Sequence, residues 1–118
     1  MATIDELARA ALDGNALLAR SLAQDFIKGN PVLTEVKSPA VSDARVLAAS
    51  AALVELFALR TNQPAPLWTS VVSGLEKPIY LVKAALTMKR LRALCDAESP
   101  LPLRKRGFYA PPDYLAFA

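Results

Sequence analysis

The chain has 118 residues, of which 53% are hydrophobic and 21% are charged, and its formal net charge is +3. This length allows one domain with a modest core and excludes two full domains. Histidine is absent from the sequence, which removes the commonest general base near neutral pH and the commonest neutral metal ligand.

Two short helices are predicted in the first 30 residues. Thr3 and Glu6 have the spacing of a capping box, and apolar residues then follow one helical face until a Gly-Asn turn at residues 13–15. A second amphipathic helix over residues 16–28 ends at a Gly-Asn-Pro sequence, because glycine favours a helix C-terminus and proline cannot continue it. We therefore expect residues 1–30 to form a helical hairpin.

The strongest helical pattern covers residues 44–61, after a linker without helical periodicity at residues 32–42. This segment is rich in alanine and apolar on nearly all sides, so we expect it to be the most buried element, with its small side chains allowing close helix packing. A short helical turn is predicted from Leu67, and residues 79–98 are predicted to form one long amphipathic helix or two.

These patterns predict an all-α protein. We expect a single domain over residues 1–118, with about five to six helices around the Ala-rich helix 44–61. Residues 43–118 would form the helical core, ending in a basic, Pro-rich tail. Trp68 is expected to pack over the Ala-rich helix, and the alternative is an exposed contact at an interface.

Charge is divided unevenly along the chain. Residues 1–76 contain 6 Lys and Arg against 8 Asp and Glu, whereas residues 77–118 contain 8 against 3. The basic part ends in a segment with three consecutive cations at 104–106, four aromatic residues and four prolines. Such a composition suits docking, although the aromatics would alternatively cap the core with the cations solvated. We expect that replacing the three cations together with alanine leaves the thermal midpoint nearly unchanged, because exposed cations contribute little to folding.

Residues that could carry catalysis are scarce. Cys95 lies in a predicted apolar stripe, which favours an inert packed thiol over a nucleophile, although nearby cations keep the nucleophile as an alternative. The sequence has no Gly-rich phosphate loop and no cluster of metal ligands. We therefore predict that the chain is not an enzyme and has no catalytic, cofactor-binding or metal-binding residues.

The sequence also predicts a cytoplasmic location. The N-terminal residues lack the features of a secretory signal, and the longest apolar run, residues 46–59, falls short of the ~20 residues that cross a bilayer. A single cysteine cannot form an intrachain disulfide, which fits a reducing compartment.

Several strings in residues 43–118 resemble a known group of proteins. They are Ala-Pro-Leu-Trp at 65–68, Lys-Pro at 77–78, Glu-Ser-Pro at 98–100 and the stretch from Leu103 to Leu115. Together they resemble the C-terminal region of small bacterial antitoxin-like proteins, some of which carry an N-terminal helix-turn-helix and are encoded beside a nuclease or nucleotidyltransferase-like toxin. The N-terminal third departs from the helix-turn-helix members, so the resemblance does not imply direct reading of DNA here.

These observations favour an antitoxin-type interaction protein that binds and inhibits a partner enzyme. The alternative is a small nucleic-acid-binding regulator that uses the same basic face. The expected partner is a protein, the cognate toxin-like enzyme, with nucleic acid less favoured and no membrane; a homodimer is also compatible with the sequence. The predicted partner-binding residues are Arg104, Lys105, Arg106, Phe108, Tyr109 and Tyr114, with Lys89, Arg90 and Arg92 beside them.

Overall fold

Helices dominate residues 2–116, which are the residues described by the computed structural model. Five α-helices are present in this range: α1 (Ile4–Leu12), α2 (Ala16–Gly29), α3 (Ala44–Arg60), α4 (Lys89–Glu98) and α5 (Leu101–Arg104). Three short 3₁₀ helices (Leu33–Glu35, Leu67–Val71, Lys83–Leu86) and two strands, β1 (Ile79–Tyr80) and β2 (Phe108–Tyr109), complete the described elements. The prediction of a single all-α domain is confirmed.

Helix α3 forms the centre of the protein. Eleven of its 17 residues are buried, and α1, α5 and two of the 3₁₀ helices pack against it. The side chain of Asp43 accepts a hydrogen bond from the backbone N–H of Arg45 and so begins the helix. The Ala-rich sequence suits this central position, because methyl side chains allow neighbouring helices to approach closely.

The N-terminal helical hairpin is also present. Thr3 and Glu6 form the predicted capping box, in which each side chain accepts a hydrogen bond from the other residue's backbone N–H. Gly14 has a φ of +70° in the turn between α1 and α2, a conformation that favours glycine. Helix α2 begins at a second cap, where the side chain of Asn15 accepts a hydrogen bond from the N–H of Leu18.

The prediction for residues 79–88 is wrong. Instead of the first half of a long helix, this segment contains β1 and the 3₁₀ helix Lys83–Leu86. Strand β1 pairs in parallel with β2, and the N–H groups of Ile79 and Leu81 donate to the carbonyls of Gly107 and Tyr109 at 2.8 and 2.9 Å. Long-range pairing thus supplies backbone partners that override a weak helical pattern.

The C-terminal segment packs onto α3. The guanidinium of Arg60 donates hydrogen bonds to the backbone carbonyls of Tyr114 and Pro112, which fixes the tail at the end of the central helix. Trp68 is partly buried against the core, and its indole N–H donates to the carbonyl of Val36 at 2.8 Å. In the described part of the chain, the helices are too short or too polar to span a bilayer.

Candidate interaction surface

A buried ion pair holds the basic C-terminal segment against the central helix. Arg106, only 4% exposed, forms a bidentate pair with the carboxylate of Glu55, with Nη2 lying 3.2 Å from Oε2. The same Nη2 donates to the carbonyl of Thr69 at 2.6 Å. Lys105 reaches Glu55 from the solvent side, with Nζ 2.9 Å from Oε1. We call Glu55, Arg106 and Thr69 the anchor.

Two glycines allow the chain to approach the anchor closely. A Cβ atom on Gly74 would lie 2.7 Å from the Cα of Arg106, so a larger residue there would force the backbone apart. Gly107 follows Arg106 with a φ of +86°, which an L-residue with a side chain rarely adopts. The close approach lets the N–H of Leu75 donate to the carbonyl of Arg106 at 3.0 Å.

The carboxylate of Glu55 is kept ionised by its partners. Burial of this side chain acts to raise its pKa, but hydrogen bonds from Arg106 and Lys105 outweigh that effect, and the pKa lies below its ordinary value of 4.5. Glu55 and Arg106 therefore both stay charged around neutral pH, and they attract each other within the chain.

Three of the nine predicted contact residues belong to the core. Phe108 is fully buried, Tyr114 is 6% exposed and Arg106 is occupied by the anchor. The hydroxyl of Tyr114 has no hydrogen-bond partner within residues 2–116, and burial raises its pKa. These three side chains are covered by the chain's own core and are not exposed for contact with a partner, which corrects the prediction for them. A fourth aromatic of the tail, Phe117, lies outside the described residues.

The other six predicted residues are exposed or half-buried. Lys105 lies beside Glu55, whereas the remaining five lie on or next to α4. Arg104 is linked to α4 because its guanidinium donates to the carbonyl of Ala97 at 3.4 Å. We use the name basic face for a set of residues on and beside the outer side of α4, of which Arg92 and Tyr109 contact Tyr80: Tyr80, Lys89, Arg90, Arg92, Arg104 and Tyr109.

Tyr80 organises the centre of the basic face. Its ring lies 5.6 Å from the ring of Tyr109, centroid to centroid, and the guanidinium of Arg92 lies 5.0 Å above it, in the range of a cation–π contact. The Tyr80 hydroxyl donates to the carboxylate of Asp96, and this hydrogen bond raises the pKa of Tyr80. These contacts restrict the side chain of Arg92 and both rings.

Sequence reasoning missed Tyr80 and Asp96. The helix predicted over residues 79–98 includes Tyr80, which would not face Tyr109 from a helix, and no pattern in the sequence connects Asp96 to Tyr80. The pairing of Ile79-Tyr80 with Phe108-Tyr109 brings the tyrosines together across 29 positions. The only local signal was the β-propensity of these two apolar and aromatic dipeptides.

Helix α4 is poorly matched to its own dipole. Its first turn carries Lys89, Arg90 and Arg92, its last turn carries Asp96 and Glu98, and no described side chain caps its N-terminus. Cations near a helix N-terminus and carboxylates near its C-terminus are each unfavourable by about 0.3–1 kcal/mol at low ionic strength. Among its ten described residues, only Cys95 is buried. The protein thus displays a basic helix that adds little to its core.

The thiol of Cys95 is buried at the base of α4, as the apolar stripe predicted. Desolvation raises its pKa, so the reactive thiolate is scarce at neutral pH. We expect the native chain to react with a maleimide or a disulfide reagent far more slowly than the chain unfolded in denaturant, as measured by mass spectrometry. Labelling at equal rates would show that this thiol is accessible.

The described groups limit the chemistry that can be assigned here. Within residues 2–116, no three cysteine or acidic side chains lie close enough together to hold a metal ion. No known protein family, curated protein or solved structure matches this chain. What the arrangement offers is a fixed pair of tyrosines and four cations on an exposed surface, which is suited to non-covalent contact.

Proposed function

We propose that this chain is an antitoxin-type interaction protein, which binds a partner enzyme through the basic face and inhibits it by covering the partner's active cleft or substrate groove. The partner would be a nuclease or nucleotidyltransferase-like toxin with an acidic surface around that cleft. The proposal includes the cytoplasm as the site of action, which fits a chain with one cysteine.

The observation that carries the proposal is the exposure of α4. A ten-residue helix is marginal on its own, and this one contributes a single buried side chain to the fold. Cations at its N-terminus and carboxylates at its C-terminus are the reverse of what the helix dipole favours, so these charges do not stabilise the helix. An acidic surface that covers the N-terminal turn would neutralise Lys89, Arg90 and Arg92 and make the same arrangement favourable.

The tyrosine pair supports a protein interface of useful affinity. Tyrosine and arginine are enriched among the residues that dominate binding energy. Because Arg92 already rests on Tyr80, and Tyr80 on Tyr109, these side chains lose little conformational freedom on binding. The planar guanidinium of Arg92 can also form bidentate hydrogen bonds with a carboxylate.

A specific observation favours an acidic protein over a nucleic acid. Asp96 accepts the hydrogen bond of Tyr80 at the centre of the basic face, and Glu98 lies on the same helix. Both carboxylates would repel a phosphate backbone, whereas a protein surface can place its own donors opposite them. Nucleic-acid binding is therefore the second candidate.

The test is co-expression with the product of the adjacent reading frame. We expect the two proteins to co-purify and the partner's nuclease or nucleotidyltransferase activity to be suppressed. The double variant R90E/R92E should raise the dissociation constant at least ~30-fold, because desolvated charge pairs are each worth roughly 2–5 kcal/mol when one side is removed. Calorimetry and the activity assay measure the two effects.

The matched control is K28E/K37E, which makes the same change in net charge at two exposed lysines outside the basic face. It should leave affinity and inhibition unchanged. Equal losses in both double variants would indicate general electrostatic attraction and contradict the proposed site. Tight binding to a single-stranded oligonucleotide, with an affinity that falls steeply as salt rises and no binding to the adjacent product, would establish the second candidate instead.

A further inference from the structure

A second surface, formed by other elements than α4, exposes large apolar side chains. Leu67 and Val71, on the 3₁₀ helix after α3, are 89% and 81% exposed. Single exposed aliphatic residues are common on protein surfaces, but two such residues on one short helix, with Val71 also lining an apolar groove, are of the kind that marks interaction sites.

The groove lies directly beside this helix. It has a volume of about 390 Å³ and includes Ala44, Leu47, Trp68, Val72 and Leu75 in its lining. The polar atom of Trp68 is already satisfied by the carbonyl of Val36, so the indole needs no further hydrogen-bond partner from an occupant. The groove therefore suits aliphatic side chains of about the size of leucine and valine.

We propose that this surface, which we call the apolar face and which comprises Leu67, Val71 and the groove, binds a second copy of the same chain. On one face, a projecting pair of aliphatic side chains lies next to a groove that accepts such side chains. A two-fold axis between two copies places the projection of each in the groove of the other, so both are buried by a single symmetric interface.

The charges around the apolar face also suit self-association. A neighbouring depression shares Leu75 with the groove and is lined by Arg45, Lys77 and Glu76, and Asp43 lies 3.9 Å from Arg45. Positive and negative side chains are therefore both present around the apolar face, so two copies can meet there without net repulsion. The basic face cannot do this, because its four cations would oppose their own copies.

A dimer interface has to reach a certain area to be stable. A stable interface covers roughly 800 Å² on each partner, whereas the whole surface of this chain is 6849 Å². The aliphatic pair and the groove form the centre of such an area, and the charged depression supplies its rim. The residues named for the dimer are not among those of the basic face, so the dimer and the proposed function can be tested separately.

Sedimentation of the full chain over ~1–200 µM tests the dimer. The wild type should form dimers, and L67E and V71E should each raise the dissociation constant at least ~30-fold, because each buries an unpaired charge. A44W provides a variant without charge, since the indole would fill the groove from its own chain and exclude the second copy. All three positions are exposed or at a helix start, and circular dichroism should show unchanged folding.

The control is L101E, which places the same charge on another element at a leucine that is 63% exposed. It should dimerise like the wild type. A wild type that stays monomeric up to ~200 µM, or a dimer that tolerates all three substitutions, would overturn the proposal. R90E/R92E should still dimerise, and L67E should still bind the enzyme partner, so failure of one proposal is distinguishable from failure of the other.

Discussion

Replacing Arg106 with alanine should lower the free energy of unfolding by about 1.5–3 kcal/mol, because the carboxylate of Glu55 loses its charged hydrogen bonds from Arg106 and keeps only Lys105 on its solvent side. The substitution also removes the donor to the carbonyl of Thr69. Chemical denaturation monitored by Trp68 fluorescence measures the loss. This result would reverse the earlier expectation for the triple alanine variant of 104–106, which assumed that all three cations are exposed.

Two neighbouring cations provide the controls. R104A and K105A remove equally basic side chains that lie at the surface, where an ion pair contributes only about 0–1 kcal/mol. The pair E55L/R106M should lose much less stability than R106A, since apolar side chains of similar volume replace both charges. Equal and small effects for R104A and R106A would show that the anchor does not hold the tail.

The anchor also predicts a pH dependence. Because the pKa of Glu55 in the folded state lies below its ordinary value of 4.5, its ionisation stabilises the fold above that pH. The stabilisation is lost as the pH falls through the folded pKa. The difference in unfolding free energy between the wild type and R106A should therefore shrink as the pH is lowered from neutral to below 4.5 and through the folded pKa.

Replacing Phe108 with alanine is expected to remove about 3–5 kcal/mol of stability, as for other large aromatic side chains in a core. Phe108 is fully buried, and the next residue along β2, Tyr109, faces the opposite side of the strand. Y109A should cost only about 1 kcal/mol, mostly from the lost contact with Tyr80, while weakening binding to the enzyme partner. Thermal and chemical unfolding of both variants measure the contrast, and a stable F108A would contradict the burial of this ring.

Much of the helical architecture could be predicted from the sequence. The capping box at Thr3 and the Ala-rich periodicity of α3 are local signals, and the elements they predict are present. The ends of helices at glycine and proline could also be predicted from the sequence. These features depend on residues within a few positions of one another, which is the range over which sequence patterns carry structural information.

The candidate site was only partly predictable, because its residues are selected by contacts between distant segments. Arg104, Lys105 and Arg106 look equivalent in sequence, yet Glu55, 51 positions away, draws only Arg106 into the core. In the same way, the pairing of β2 with β1 places Phe108 in the core and leaves Tyr109 partly exposed. The charge of the C-terminal third was visible in the sequence, but the division between structural and exposed residues was not.

The parallel pairing of β1 with β2 fixes the two ends of the segment that contains α4. It joins Ile79 to Phe108 and so closes the intervening segment, including α4, into a loop whose base is fixed. Ser99 strengthens that base by accepting a hydrogen bond from the N–H of Ala110 at 2.9 Å. Since α4 contributes little to the core, it can open locally at a lower free energy than the rest of the protein. The fold should therefore tolerate substitutions on the outer side of this helix, and under the proposed function such substitutions would change which partner is recognised.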